Sequence, residues 1–94
     1  MNLVDIGVNL AHDSFDADRA SVMERAHAAG VQRMIVTGST LESSAAAVRL
    51  AASSAGLYAT VGVHPHHATD LAEADLPRLR ELLAQPGAVA VGEC

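Results

Sequence analysis

Three histidines crowd one short stretch, G-V-H-P-H-H, as His64, His66 and His67. Imidazoles set this close can hydrogen-bond a phosphate oxygen, move a proton, or ligate a metal. The proline at 65 restricts the residue before it to extended backbone, so the His64 ring is expected to project from the end of a strand. Substrate binding or proton transfer, metal ligation and a structural role all remain open for His64; His66 is a weaker candidate of the same kind, and His67 reads as a loop residue. A second candidate closes the chain, where A-V-A-V-G-E-C carries Glu93 at the end of a valine-rich run. An acid at a strand end can simply meet water. Period-two alternation, however, puts Val89, Val91 and Glu93 on one face, and a register that turns the valines inward would carry the carboxylate with them, towards a cation. Asp5 lies among Leu3, Val4 and Ile6, where an unpaired charge would be costly. It is either a structural acid bonded to neighbouring backbone or a group that touches a metal or supports its ligands. Asp5, Gly7 and Asn9 share a face by the same alternation. Cys94 fits small-residue packing as well as ligation, and the remaining histidines, His12 in a loop and His27 in a helix, read as surface residues.

The elements that would hold these groups repeat. L-V-D-I-G-V suits a buried strand, the segment 16–29 reads as a helix with Val22, Met23, Ala26 and Ala29 at helical spacing, and Gly30 suits the left-handed turn at its end. Asp16 or Asp18 can cap that helix. V-Q-R-M-I-V-T then begins a second unit, with Ser39 and Glu42 in the spacing of a capping box and an alanine-rich helix running to Ala55 and Gly56. L-Y-A-T-V-G-V begins a third, followed by a helix from about Asp75, with Pro77 in its first turn and Leu76, Leu79, Leu82 and Leu83 on one side. A fourth strand starts at Ala88. Strands are therefore expected near 3–8, 31–37, 57–63 and 88–93.

Such alternation marks βαβ units and a parallel sheet. The fold class is α/β. If all the helices lie on one face of the four strands, the other face is left open and the parallel βα repeats form the first half of a TIM-type (β/α)8 barrel, a fold of about 250 residues when whole and the arrangement preferred on the motifs. Three helices divided between two faces, a doubly wound sheet, is the alternative. In either fold the chemistry sits outside the carboxyl ends of the strands, and Asn9, Ser39, His64 and Glu93 all fall there.

Composition narrows the function. Six arginines and no lysine stand against 11 acids, for a net charge of −5. That balance excludes a protein that coats nucleic acid through a basic surface, but not an enzyme that grips one phosphate locally. One cysteine excludes an internal disulfide framework and fits a reducing compartment, so the cytoplasm is the expected location. No apolar run approaches the roughly 18 residues of a membrane span, and no export signal opens the chain.

Taken together, D-I-G-V-N-L, A-G-V after the first helix, G-V-H-P-H and V-G-E-C resemble the TatD family of metal-dependent deoxyribonucleases, within the amidohydrolase-like superfamily of (β/α)8 barrels. The resemblance covers the whole chain. It implies an N-terminal portion, residues 1–94, cut within the fourth-strand motif, since that motif usually continues into G-L-D. It implies DNA ends as substrate, Glu93 as a ligand of divalent metal, and His64 and His66 as contacts to the substrate phosphate, with His64 the residue for proton transfer. Many relatives carry H-x-H on the first strand; here Gly7 and Asn9 occupy those positions. Loss of both imidazoles favours Mg2+ or Mn2+ over Zn2+ and leaves Asp5 and Asn9 as supporting groups. The partners implied are the remaining C-terminal half of a barrel, or a second copy through the open sheet face. A superfamily hydrolase of another small substrate and a non-catalytic half-barrel interaction fragment are the alternatives.

Overall fold

A computed structural model describes residues 3–10, 15–65, 69 and 73–92. Four strands, β1 (Leu3–Val8), β2 (Val31–Val36), β3 (Leu57–Val61) and β4 (Ala88–Val91), alternate with three helices, α1 (Arg19–Ala28), α2 (Leu41–Ser53) and α3 (Leu76–Leu83). A 3-10 turn, Glu73–Asp75, leads into α3. The strands pair in parallel in the order β1-β2-β3-β4. Each connection advances in the same direction, so right-handed crossovers place every helix on the same side. A doubly wound sheet needs a reversal in strand order, and this sheet has none. The arrangement is the first half of a TIM-type barrel.

The core lies between sheet and helices. Met34 and Val36 of β2 and Leu57, Ala59 and Val61 of β3 are buried against Ala47, Val48 and Ala51 of α2 and Leu82 of α3. Small residues dominate the helix side of this contact, which lets α2 approach the strands closely. The alternate residues Ile35, Tyr58 and Thr60 are only half-buried, because no second helix layer covers their face. Val22, Met23 and Ala26 bring α1 onto the core as their spacing predicts. Gly30 and Gly56, at φ 104° and 84°, make the left-handed turns that end two of the helical units.

Three details differ from the sequence reading. β1 is exposed: Leu3, Val4 and Ile6 are 42, 48 and 76% accessible, because it is an edge strand with a neighbour on one side only. α1 starts at Arg19, later than its periodicity suggests, because Asp16 is drawn into an ion pair with Arg19 at 2.8 Å, and Asp18 occupies the cap position without a side-chain bond. The box at the start of α2 is built by Thr40 and Ser43, where Ser39 and Glu42 were expected. Thr40 Oγ1 accepts from the Ser43 N–H at 2.9 Å, and Ser43 Oγ accepts from the N–H groups of Thr40 and Ser39, both at 2.8 Å. A hydroxyl one residue along reaches the same donors at shorter range than the longer Glu42 chain.

Candidate active site at the strand ends

Parallel pairing brings the carboxyl ends of the strands to one rim, and a chain of backbone bonds ties them together. The Thr37 N–H donates to the Val8 carbonyl at 3.0 Å, joining the ends of β1 and β2. Between β2 and β3, Gly38 N–H donates to the Thr60 carbonyl at 3.1 Å, and His64 N–H donates to the Ser39 carbonyl at 2.7 Å. Gly92 N–H donates to the Val61 carbonyl at 3.1 Å, joining β3 to β4. His64, half-buried, therefore sits between the tops of neighbouring strands. Gly92, the residue before Glu93, is anchored three residues upstream of His64 in the adjacent strand.

Close approach explains the glycines at this rim. A Cβ on Gly62 would collide with the Gly92 carbonyl oxygen, and one on Gly38 would collide with Ser44 Oγ and the Thr60 carbonyl. Both positions demand a residue with no side chain.

Asn9 follows β1 directly and is exposed at the same rim. Asp5 is exposed too, its Oδ1 accepting the Gly7 N–H at 3.2 Å. The burial cost anticipated for it does not arise, since its strand lies at the sheet edge. His66, His67, His12, Glu93 and Cys94 lie outside the described residues; His27 is exposed on α1, as expected. The inward register assigned to Val89 and Val91 does not hold. They are 52 and 61% exposed, and Val91 pairs with Val61 and lines a cavity of about 280 Å3 with Leu76, Leu79 and Leu83 on the helix side. The cause is a register shift: Ala88 pairs with Ala59, but Ala90 pairs with Thr60, leaving Val89 as an extra residue. One added residue changes the facing of Val91.

A residue that the sequence reading passed over organises the rim. Ser44 of α2 is fully buried, donating its Oγ to the Gly62 carbonyl at 3.0 Å and accepting the Gly62 N–H at 3.1 Å. The signal for it was slight: a small hydroxyl at a core-facing helical position in an alanine-rich segment. Among the described residues, no three His, Cys, Asp or Glu groups gather where they could hold a metal, and none of the helices there is long and apolar enough to cross a membrane.

The sequence matches the model of the TatD related DNase family over residues 4–94. The chain belongs to this family. Among relatives of TatD-type, it is 45% identical over 92 residues to the 3'-5' ssDNA/RNA exonuclease TatD of Cronobacter turicensis, covering 98% of this chain and 35% of that one. It is 44% identical over 93 residues to the protein of the same name from Pantoea vagans, with 98 and 36% coverage. The crystal structure of YjjV, a TatD homolog from Escherichia coli K12, superposes with a TM-score of 0.87 at 30% identity, over 97% of this chain and 36% of that one. The chain thus spans about a third of the length of the TatD proteins it matches.

Proposed function

We propose that residues 1–94 form the N-terminal half of a TatD-type nuclease barrel that hydrolyses phosphodiester bonds at the ends of single-stranded DNA. The carrying observation is the rim itself. His64 is fixed at the carboxyl end of β3 by its 2.7 Å bond to Ser39, and the next strand over, β4, leads straight into Glu93. The names of the relatives support the substrate class, and they support cleavage from the 3' end with tolerance of RNA as part of this proposal.

In this reading the His64 imidazole hydrogen-bonds a non-bridging oxygen of the scissile phosphate and can deliver a proton to the departing sugar oxygen. His66 is a second contact to the same phosphate. Asn9, exposed at the end of β1, offers an amide to the substrate. The acidic chain has no field to draw nucleic acid over a broad surface, so the grip must be local and short, which suits an enzyme acting on ends.

The described residues do not supply a ligand set for a divalent ion. Metal dependence therefore enters this reading through Glu93 as the ligand the chain contributes, completed by groups beyond these four strands. Mg2+ or Mn2+ is preferred to Zn2+, because Gly7 and Asn9 offer no imidazole at the end of β1. A cytoplasmic setting accords with the single thiol.

The test is to join residues 1–94 to the remaining strands of the barrel and offer a 3'-labelled single-stranded oligonucleotide. Release of mononucleotides is the expected result. Refusal of DNA with Mg2+, Mn2+ and Zn2+ alike, alongside hydrolysis of a small amide or phosphoester, would transfer the assignment to another hydrolase of the superfamily. The exposed apolar edges, Leu3, Val4 and Ile6 on β1 and Val89 and Val91 on β4, favour a further property: association, either with the other half of a barrel or with a second copy.

A further inference from the structure

We propose that Ser44 is a positioning residue for His64, acting as a hydroxyl wedge that sets where β2 and β3 part. This rests on the reading of His64 as the contact to substrate phosphate. Gly38 N–H meets the Thr60 carbonyl, and His64 N–H meets the Ser39 carbonyl. Gly62, midway between those two bonds, has both of its backbone groups satisfied by one side chain, Ser44 Oγ, which donates at 3.0 Å and accepts at 3.1 Å. A helix hydroxyl has therefore taken the place of a strand partner. Ser44 and Gly62 are both buried, so water cannot substitute freely for this oxygen.

Two neighbours show that the space is made for it. Gly38 lacks the Cβ that would collide with Ser44 Oγ. Ser43, next along α2, ties the same loop from its other side, accepting the Ser39 N–H at 2.8 Å. Ser39 is thus held by its N–H through Ser43 and by its carbonyl through His64, while Ser44 holds Gly62 two residues before His64. Adjacent hydroxyls of one helical turn fix the segments that follow β2 and β3, the second of which carries His64. Helix α2 carries the position of the rim into the site without touching substrate.

The experiment measures amide hydrogen exchange and the His64 ring resonances by NMR, in the 94-residue chain and its Ser44→Ala and Ser44→Cys variants, with the dinucleotide dTpdT as the phosphodiester probe. In Ser44→Ala the Gly62 and His64 amides are expected to exchange at least tenfold faster. The amides of Met34 and Ala59, bonded at the far ends of the strands to Gly56 and Gly87, are expected to keep their rates. The dTpdT-induced shift of the His64 ring falls by at least half, and Ser44→Cys, a weaker donor and acceptor, lies between. Uniform acceleration of all four amides would reduce Ser44 to a stability residue and overturn the proposal, as would faster exchange at Gly62 with His64 unchanged. Should Ser44→Ala not fold, Ser44→Cys decides by the same comparison. If the wild-type ring ignores dTpdT, the phosphate role of His64 fails, and the exchange pattern still judges the wedge.

Discussion

Ser39 and His64 are locked together by a 2.7 Å bond from the His64 N–H to the Ser39 carbonyl, across the tops of β2 and β3. The bond uses only backbone, so it holds the Cα of His64 whichever side chain stands there. Replacing His64 by alanine should therefore spare the fold and remove the chemistry. In the complete barrel, His64→Ala is expected to lower turnover of single-stranded DNA by about a hundred- to ten-thousand-fold, the usual span for a general acid. Far-ultraviolet circular dichroism should be unchanged. Turnover within a factor of two of the wild type would remove His64 from the reaction.

The cap of α2 makes a thermodynamic prediction. Thr40 and Ser43 satisfy each other's backbone donors, while Glu42 is exposed and takes no part in the box. Thr40→Ala should cost about 1 kcal/mol in urea unfolding, and Glu42→Gln less than about 0.5 kcal/mol. The reverse order would return the cap to the Ser39 and Glu42 spacing.

Gly38 makes a steric one. A methyl group there meets the Thr60 carbonyl and the Cα of Ser44 as well as the serine hydroxyl, and two of those three obstacles are backbone. Gly38→Ala is expected to destabilise the chain by about 1 to 3 kcal/mol, as overpacking does. Gly7, whose Cβ would meet nothing within 4 Å, should accept alanine almost without loss. The pair separates a packing requirement at β2 from the open end of β1.

How far the residues alone disclosed this architecture depends on which interactions are local. The four strands and three helices follow from hydrophobic period and from glycine turns, and Leu3–Val8 falls where the pattern puts it. Repeated βα order allowed helices on one face or on two, and the unreversed strand order decides for one. The bulge at Val89 was not legible, because A-V-A-V alternates without a glycine or proline to mark an extra residue, and pairing with β3 alone decides it. Exposure of β1 was equally hidden: a strand's apolar content does not say whether it lies at an edge. Ser44 escaped notice for a related reason. Its partner Gly62 is 18 residues away, and a serine in a helix more often faces water. The histidine cluster and the V-G-E-C end stand out by residue type and strand-end position, and of their chemical groups only His64 lies among the described residues.

The edges of the sheet lead to a prediction about association. Val89 and Val91 on β4 and Val4 and Ile6 on β1 expose apolar surface beside unpaired strand edges, a combination that invites another strand. The 94-residue chain should sediment as more than a monomer, and Val89→Lys with Val91→Lys should return it to one. Lysine on an edge strand opposes pairing through charge and solvation. A wild-type chain that stays monomeric at high concentration would dismiss the second copy as a partner and leave the remaining barrel strands as what covers these edges.

The proposed preference for Mg2+ or Mn2+ rests on what β1 lacks. Gly7 presents no side chain and Asn9 a neutral amide, so an ion held at this rim, as proposed, would meet oxygen donors from the chain, with Glu93 the strongest candidate by residue type. Complete barrel stripped by a chelator should lose DNA hydrolysis and regain it with Mg2+ or Mn2+ more fully than with Zn2+. Glu93→Gln, which removes the charge and keeps the shape, should weaken Mn2+ binding by at least tenfold in a titration followed by electron paramagnetic resonance. Asp5→Asn serves as the control: its carboxylate is exposed and already bonded to the Gly7 N–H, so Mn2+ affinity should change by less than threefold. A larger effect at Asp5 than at Glu93 would move the ion from the end of β4 to the face of β1.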